Sequence, residues 1–342
     1  MSAGAIDLEM SLMDGRHSCP KRYILVTGVT GTGKSTFIAN ATGDLSVEIG
    51  HELQSKTAAI QEVPLPEPVN GFEVVLVDMP GFNDTYEGTG LGLQLMTEWL
   101  ENAFKNLKRL SGIIYIHNIT DTRMLDTTVH VIDLLTAICG ESFAPNIMLL
   151  SNMWSAPKDD REIVREKQLI NKFDFWGSLI KNGARTSRYH SHKPFSEESK
   201  VEAKDIIAKM LQIPHNLTQF QREIFEQGKL PVQTLACRTV VTYLHNAEAK
   251  LNKEEQEATI KAEEETSPSM KFVFYKQAER ARREKEKIRQ EWTILATAIR
   301  GIGYVIAGLA ERAGQHLTCG GILFLTEAVV EWLNGGDLEY PE

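Results

Sequence analysis

The sequence predicts an α/β fold with a mostly parallel sheet, followed by a helical C-terminal extension. Four short apolar runs alternate with helical stretches in the first half of the chain, which is typical of consecutive βαβ units. Beyond about residue 240 the composition changes to charged segments and two longer apolar stretches. Ligand-binding residues are expected at the carboxyl ends of the predicted strands, because parallel strands end at one edge of a sheet.

Length and composition limit the classes of protein to which this chain can belong. Its 342 residues suggest about two domains, or one large domain with an appendage. With 42% hydrophobic and 24% charged residues, the chain is typical of a folded globular protein and not of a disordered or collagen-like one. A formal net charge of −9 argues against a dedicated nucleic-acid-binding protein, so no nucleic-acid partner is expected.

Each predicted strand is a short apolar run that ends at a glycine, a turn or a polar residue. The strands are Tyr23–Gly28, Phe72–Gly81, Gly112–Ile119 and Asn146–Asn152. Helices are predicted over 34–41, 91–107, 126–138, 160–182 and 197–212. We therefore divide the chain into a flexible leader, an α/β domain and a helical extension, with the bounds 1–20, 21–245 and 246–342.

The N-terminal segment and the cysteines indicate a cytoplasmic location. The segment MSAGAIDLEMSLMDG contains acidic side chains and lacks the apolar core of a signal peptide. The cysteines are far apart and form no CxxC pair, which is typical of free thiols in a reducing compartment. They are Cys19, Cys139, Cys237 and Cys319.

The strongest motif lies between the first predicted strand and the first predicted helix. It reads GVTGTGKS and matches the phosphate-loop pattern G-x-x-x-x-G-K-[ST] without departure. Glycines let the backbone wrap around a phosphate chain, Lys34 supplies charge to the β- and γ-phosphates, and the Ser35 hydroxyl can bind Mg²⁺. The fold is accordingly predicted to be a three-layer P-loop NTPase fold. We expect the nucleotide to contact Gly28, Thr30, Gly31, Thr32, Gly33, Lys34, Ser35 and Thr36.

A second motif, Asp78-Met79-Pro80-Gly81, ends the second predicted strand. After an intact phosphate loop, a DxxG motif is typical of GTPases. Asp78 then holds Mg²⁺ through water, and the Gly81 N–H reaches the γ-phosphate.

A GTPase also has a threonine between these two motifs, which the γ-phosphate and Mg²⁺ hold in place. Thr57, in the segment HELQSKTAAI, is the best candidate for this metal-binding position. Thr42 follows the phosphate loop too closely, and Ser55 remains an alternative.

The usual water-positioning glutamine is missing, because Phe82 follows Gly81. Another group must then assist hydrolysis, either in this chain or in a partner. His117 and Arg123 are the candidates, at the end of the third predicted strand and just after it. The structural alternatives are a core-edge histidine and a surface arginine.

One alternative enzyme class has partial support. The segment Thr27-Gly28-Val29-Thr30-Gly31 also resembles the start of an NAD(P)-dependent extended short-chain oxidoreductase, and Tyr189 and Lys193 fit the spacing YxxxK. The Rossmann glycine spacing is incomplete, however, and hydride transfer has no use for the pair Lys34-Ser35.

Taken together, these motifs resemble one family. The segments GVTGTGKST, HELQSKT, VDMPGFND, GIIYIHNITDTR and ICG are similar to the immunity-associated GTPases of the GIMAP/AIG type and their fungal relatives, in the septin-like branch. The resemblance covers roughly residues 22–215. It implies binding of GTP or GDP with Mg²⁺, a homodimer across the nucleotide face, and frequent membrane association.

The resemblance also implies a role for Arg123. In that family an arginine follows the third strand at a fixed spacing before a Phe-Gly pair. Here Arg123 stands at the same spacing before Cys139-Gly140, so the resemblance implies an arginine finger acting in trans.

The base-specificity motif departs from the usual pattern. GTPases end this strand with [NT]KxD, whose aspartate pairs with guanine, but here the strand ends with LLSNMWS. Asp159 and Asp160 come too late to fill that place. Asn152 can hydrogen-bond to the base and Trp154 can stack near it, although a core position for Trp154 is an equal alternative. The loop GARTSRYH, residues 183–190, is expected to contact the base as well.

The C-terminal third has a helical pattern. It contains an acidic segment (247–265), a TSPS breaker (266–269) and a charged segment that is basic on balance (276–291). An apolar stripe with coiled-coil-like spacing follows, formed by Trp292, Leu295, Ile299, Ile302, Ile306 and Leu309. Three roles stay open for this region: packing on the GTPase domain, self-association, and peripheral membrane contact through 276–334.

The sequence therefore predicts a GTP-binding protein that hydrolyses GTP slowly and is stimulated by dimerisation or a partner. The alternative is a nucleotide-bound scaffold or switch without significant turnover. Guanine preference rests on the family resemblance, because no [NT]KxD motif is present.

Overall fold

The computed structural model describes residues 19–43, 60–81, 88–122, 124, 126–155, 159–190, 195–229 and 233–312. This part of the chain forms two compact units. The first unit takes its residues from 1–82, 100–129 and 140–218, and the second from 83–99, 130–139 and 219–342.

A six-stranded sheet forms the centre of the first unit, with the strand order β2-β3-β1-β4-β5-β6. All neighbouring strands are parallel except β2 and β3, which are antiparallel. This mixed, mostly parallel sheet confirms the predicted α/β class. The strands are β1 (Lys21–Thr27), β2 (Gln61–Pro64), β3 (Glu73–Asp78), β4 (Leu110–Asn118), β5 (Ile147–Asn152) and β6 (Arg185–Arg188).

The four predicted strands are the central ones, and their residues are almost all buried. Their register brings the carboxyl ends to one edge of the sheet, as parallel strands require. Asp78 lies opposite Val26 near the end of β1, and Asn118 lies opposite Asn152. The residues that end β3, β4 and β5 therefore share the edge from which the loop after β1 emerges.

The two strands that the sequence did not reveal are the edge strands. β2 and β6 have largely exposed or half-buried residues and no apolar run, because an edge strand of four residues buries little surface. The prediction of a loop over 183–190 was therefore wrong at its centre, where β6 pairs in parallel with β5.

The helices of the described residues are divided between the two units. In chain order they are α1 (Lys34–Thr42), α2 (Gly88–Lys105), α3 (Asp126–Cys139), α4 (Asp160–Asn171), α5 (Ser178–Lys181), α6 (Glu197–Met210), α7 (Gln219–Gln221), α8 (Leu235–Glu264) and α9 (Pro268–Arg312). A 3₁₀ turn covers Glu141–Asn146, and π turns cover Phe173–Gly177 and Arg222–Glu226.

The predicted helical stretch 160–182 is interrupted. Lys172 has an extended backbone after α4, and Phe175 has a non-helical conformation with φ −106° and ψ −115°. A Cβ on Gly177 would approach the carbonyl oxygen of Lys172 to 2.7 Å, so the chain turns tightly between α4 and α5. This interruption was not predicted, because tight packing rather than a proline ends α4.

One side of the sheet is covered by α1 and α6. Their apolar side chains join those of the central strands in one buried cluster that includes Ile24, Phe37, Leu76, Ile114 and Ile207. A polar contact adds to this packing, because Asn40 Nδ2 in α1 donates to the Tyr189 hydroxyl over 2.7 Å. It ties α1 to the segment that follows β6.

The second unit contains the long helices α8 and α9, which pack against each other. The break between them lies at 265–267, where the TSPS segment was expected to end a helix, and Pro268 begins α9. Across the pair, Glu255 accepts hydrogen bonds from Arg282 and Lys285. The predicted boundary at 245/246 lies within α8, which continues through it without a break.

The apolar stripe of α9 is only partly described. Leu295 is buried and Trp292 is half-buried, whereas the side chains of the remaining stripe residues lie outside the described ones. Among the described helices, none is both long and apolar enough to cross a membrane.

Candidate nucleotide-binding site

The loop between β1 and α1 has the backbone that a phosphate loop needs. Gly28, Gly31 and Gly33 have φ angles of 143°, 82° and 94°, a region that residues with a Cβ rarely adopt. A Cβ on Gly28 would lie 2.3 Å from the carbonyl oxygen of Ile116. On Gly33, a Cβ would lie 2.5 Å from the side-chain nitrogen of Asn152. Glycine is therefore required at both ends of the loop.

The first residues of α1 provide a positive environment. Lys34 is buried, and its ammonium group lies 3.2 Å from the carbonyl oxygens of Gly28 and Val29. The first turn of α1 contains no acidic side chain, so no carboxylate of that turn neutralises the positive end of the helix dipole. Thr32 closes the loop by donating from Oγ1 to the carbonyl of Val29 over 2.9 Å. An anion can bind here to backbone N–H groups and to the lysine together.

A carboxylate and a hydroxyl meet at the carboxyl end of β3. Ser35 Oγ donates to Asp78 Oδ2 over 3.0 Å, and Asp78 is 1% exposed. Its other oxygen, Oδ1, is buried and has no hydrogen-bond partner among the described residues. Burial raises the pKa of Asp78, while the Lys34 charge and the Ser35 hydrogen bond lower it. A buried carboxylate oxygen without a partner, beside a hydroxyl, fits the oxygen ligands that Mg²⁺ prefers.

The end of the DxxG motif lies against the phosphate loop. A Cβ on Gly81 would come within 2.3 Å of Thr30 Oγ1 and 2.8 Å of the Thr30 backbone nitrogen. The Thr30 hydroxyl is itself buried, and no described residue hydrogen-bonds to it. Two unpartnered oxygen atoms, one from Asp78 and one from Thr30, thus lie on adjoining segments of the same site.

Three residues on which the predictions depend, Thr57, Phe82 and Arg123, lie outside the described residues. His117 is described, in β4, and is 4% exposed. Its ring lies edge-on to Trp176 with the centroids 6.0 Å apart, and burial lowers the pKa of His117 to about 4. The structure therefore places His117 among core side chains as a neutral ring, and its catalytic role stays a prediction.

The two residues expected to contact the base are both buried. Asn152 is fully buried and donates from Nδ2 to the carbonyl of Thr32 over 2.8 Å, which ties the end of β5 to the phosphate loop. Trp154 is 3% exposed, and its indole N–H donates to the carbonyl of Ser151 over 3.1 Å. The Arg188 guanidinium lies over the Trp154 ring at 4.4 Å. Base contact by Asn152 and Trp154 stays a prediction.

One polar pair beyond β5 was not predicted from the sequence. The backbone N–H of Ser155 donates to Glu162 Oε2 over 3.0 Å, and the Ser155 hydroxyl donates to Oε1. Glu162 lies in the first turn of α4, three residues after Asp159, which caps that helix by accepting from the Arg161 N–H. The spacing of Asp159 and Glu162 matches a capping box and was the available signal for a helix start there.

The rival oxidoreductase motif is not assembled in the described part of the chain. Tyr189 is fully buried, with its hydroxyl bound to Asn40, and Lys193 lies outside the described residues.

Part of the chain matches the model of a known protein family. Residues 23–151 match the family model described as 50S ribosome-binding GTPase. Because the match spans less than half of the chain, it describes the α/β domain and not the whole protein. None of the curated proteins compared with the chain matches it significantly.

Solved structures with a related chain trace include Toc33 from Arabidopsis thaliana in complex with Mg²⁺ and GMPPNP. It has 13% identity and a TM-score of 0.43, over 60% of this chain and 87% of that one. The bacterial selenocysteine-specific elongation factor EF-Sec has 13% identity and a TM-score of 0.41, over 58% and 30%. A probable GTP-binding protein engB has 16% identity and a TM-score of 0.36, over 56% and 98%. Similarities of this size carry no function over to this chain.

The family match, the intact phosphate loop and the mostly parallel six-stranded sheet together show that the α/β domain has a P-loop NTPase fold.

Proposed function

We propose that this protein binds GTP together with Mg²⁺ and hydrolyses it slowly, and that a second copy of the chain or a partner accelerates hydrolysis by completing the site. The observation that carries the proposal is the buried Asp78–Ser35 pair beside Lys34, at the mouth of an intact phosphate loop.

Each residue at the phosphate end of the site, formed by the segments 28–35 and 78–81, has a defined task. The loop backbone and the start of α1 bind the β-phosphate, and Lys34 exchanges its two carbonyl contacts for phosphate oxygens. Ser35 and Asp78 would hold Mg²⁺, which neutralises charge on the β- and γ-phosphate oxygens when it is bound. Gly81, at its close approach to Thr30, brings a backbone N–H to the γ-phosphate.

Slow intrinsic hydrolysis follows from the residue after Gly81. Phe82 cannot orient a water molecule by hydrogen bonding, so the chain lacks the usual means of doing so. The family resemblance assigns the missing group to Arg123, acting in trans within a homodimer that forms across the nucleotide face. An arginine supplied in this way stabilises charge that develops only in the transition state.

The second candidate function is a nucleotide-bound scaffold or switch without significant turnover. The same Phe82 favours it, as does the neutral, buried state of His117, which leaves that ring without an evident proton-transfer role. The cytoplasmic location and the peripheral membrane contact expected from the sequence belong to either candidate and stay predictions.

One series of measurements tests the proposal. The nucleotide released from the purified protein is identified, and GTP turnover per molecule is then measured across a wide range of protein concentrations. We expect turnover per molecule to rise with concentration, because the complete site exists only in the dimer. Arg123→Ala should flatten this rise, with a loss on the order of 10³-fold at the highest concentrations, and should leave nucleotide affinity nearly unchanged.

The control is Arg238→Ala, which removes an exposed arginine of α8. Turnover that is independent of concentration, or equal in wild type and Arg123→Ala, would remove Arg123 from the mechanism. Tight binding of GTP without turnover at any concentration would establish the scaffold instead.

A further inference from the structure

The sheet edge has two ends with different tasks, if the proposed function is correct. The Mg²⁺-binding and γ-phosphate-sensing residues come from β3, and the phosphate loop follows β1. In the strand order, β4, β5 and β6 lie on the other side of β1 from β3. A nucleotide with its γ-phosphate at Asp78 would therefore extend its nucleoside toward the ends of β5 and β6. The hydrogen bond from Asn152 to Thr32 holds the end of β5 against the phosphate loop.

Ser155 occupies the place at which the [NT]KxD motif has its base-reading aspartate, three residues after Asn152. A serine alone is a poor substitute, because it has one oxygen, no charge and a hydroxyl that can rotate between donating and accepting. In this structure, however, both the N–H and the hydroxyl of Ser155 donate to the carboxylate of Glu162. The missing negative charge is thus present, and it is supplied from the first turn of α4.

The environment of Glu162 is unusual for a carboxylate. It is 2% exposed, and among the described residues no cation lies within ion-pair distance of it. The neighbouring Arg161 pairs with Asp159, and its charge also acts on Glu162. Burying a carboxylate is unfavourable, and the Ser155 hydrogen bonds, the positive end of α4 and the Arg161 charge offset that cost. A helix cap alone would not require it, because Asp159 already caps α4.

We propose that Ser155 reads the guanine base and that Glu162 is the positioning residue that makes this possible. Because Glu162 accepts the hydroxyl proton of Ser155 in a hydrogen bond, the remaining lone pairs of Oγ can only accept. The adjacent carboxylate also makes that oxygen a stronger acceptor. Guanine offers donors at N1–H and at its 2-amino group, whereas adenine has an acceptor at N1 and lacks the amino group. An acceptor at this position therefore favours GTP and opposes ATP.

The test compares GTP and ATP affinities, measured by calorimetry with MgCl₂ present, in four forms of the full chain. These are the wild type, Glu162→Gln, Ser155→Ala and the matched control Asp160→Asn. Asp160 is exposed in the same turn of α4, so the control removes one charge from the same helix end without touching Ser155.

The expected result is a change in selectivity. In Glu162→Gln the amide can donate to Ser155 Oγ and release the hydroxyl proton toward the base, so the ratio of GTP to ATP affinity should fall about tenfold or more. Ser155→Ala should lower the ratio by a similar factor, whereas Asp160→Asn should keep it. Thermal melting reports whether each variant is folded. If Glu162→Gln does not fold, the smaller change Ser155→Ala still decides the proposal.

The outcomes separate this inference from the proposed function. A wild type that binds neither nucleotide, or binds both equally, overturns the proposed GTP preference and this inference together. A wild type that prefers GTP, with variants that keep the ratio, overturns only the assignment of Ser155 and Glu162. Equal loss of GTP and ATP affinity in both variants shows that the pair merely shapes the loop after β5, and it also overturns the assignment.

Discussion

The two ends of the nucleotide site are built on different principles. At the phosphate end, the residues that matter lie in two short segments, 28–35 and 78–81, and their spacing alone predicts their task. At the nucleoside end, the contacts join residues that no local pattern connects, such as Asn152 with Thr32 and Ser155 with Glu162. Phosphate binding depends on backbone N–H groups and a few fixed charges, whereas a base is distinguished by how single hydrogen-bonding atoms are oriented.

Each end also has its own buried carboxylate. The phosphate end carries Asp78, one oxygen of which has no partner among the described residues, and the nucleoside end carries Glu162, both oxygens of which accept from Ser155. In the proposed function, a metal ion would bind the free oxygen of Asp78. In the further inference, Glu162 acts on the base through Ser155. Removing one group at a time separates the two tasks.

The largest effect is expected at the phosphate end, from Lys34→Ala. The lysine contacts phosphate in two charge-assisted interactions, each contributing roughly 1.5–3 kcal/mol, so affinity should fall at least about 100-fold. Both GTP and ATP should lose affinity by the same factor, because the lysine does not contact the base. Calorimetric titration with each nucleotide measures this, with Lys167→Ala, an exposed lysine of α4, as the control.

Near-wild-type affinity in Lys34→Ala would contradict the phosphate-loop assignment. An unequal loss, with GTP affected more than ATP, would show instead that the two ends of the site are coupled.

Two smaller effects are expected from Asp78→Asn: the folded protein becomes more stable, and nucleotide binding loses its dependence on Mg²⁺. Burial raises the pKa of Asp78, so the folded protein binds this proton more tightly than the unfolded chain does. The free energy of unfolding therefore falls as the pH rises above the carboxylate's ordinary range, because Asp78 then loses a proton that the folded state holds more tightly. The neutral amide should raise the melting temperature at neutral pH by about 2 °C or more, while Mg²⁺ should no longer tighten nucleotide binding.

Melting curves at several pH values, together with titrations in MgCl₂ and in EDTA, measure both changes. Asp174→Asn, an exposed aspartate of the same unit, provides the control. A variant that is less stable than wild type and still responds to Mg²⁺ would show that Asp78 has a structural role only.

The central strands and the phosphate end could be predicted because both depend on local patterns. Apolar runs mark buried strands, and the loop from Gly28 to Ser35 needs glycine at Gly28 and Gly33, where the structure leaves no room for a Cβ. The edge strands β2 and β6 were missed, because half-exposed strands need no apolar run. The pair of Ser155 and Glu162 was missed for another reason, since its contact depends on how α4 returns to the end of β5.

The last expected effect concerns His117, on β4 between the two ends of the site. Burial lowers the pKa of His117 to about 4, whereas the unfolded chain binds this proton near the ordinary value of 6.5. The unfolded state therefore binds more protons between these values, and the free energy of unfolding falls as the pH decreases from about 6.5 to about 4. This imidazole should account for a loss on the order of 1–3 kcal/mol.

His117→Phe should flatten that part of the pH profile, because phenylalanine keeps an aromatic edge against Trp176 and cannot take up a proton. Denaturant unfolding at pH 7 and at pH 5 measures the difference. Dependence that remains is expected from His130, whose pKa is also lowered to about 4, and from His215, whose pKa burial lowers. GTP turnover of His117→Phe at pH 7 then decides whether His117 takes part in hydrolysis. Unchanged turnover limits His117 to packing and leaves the hydrolytic chemistry to the phosphate end and its partner. A loss of more than about tenfold would return His117 to the mechanism as a group that must move out of the core to act.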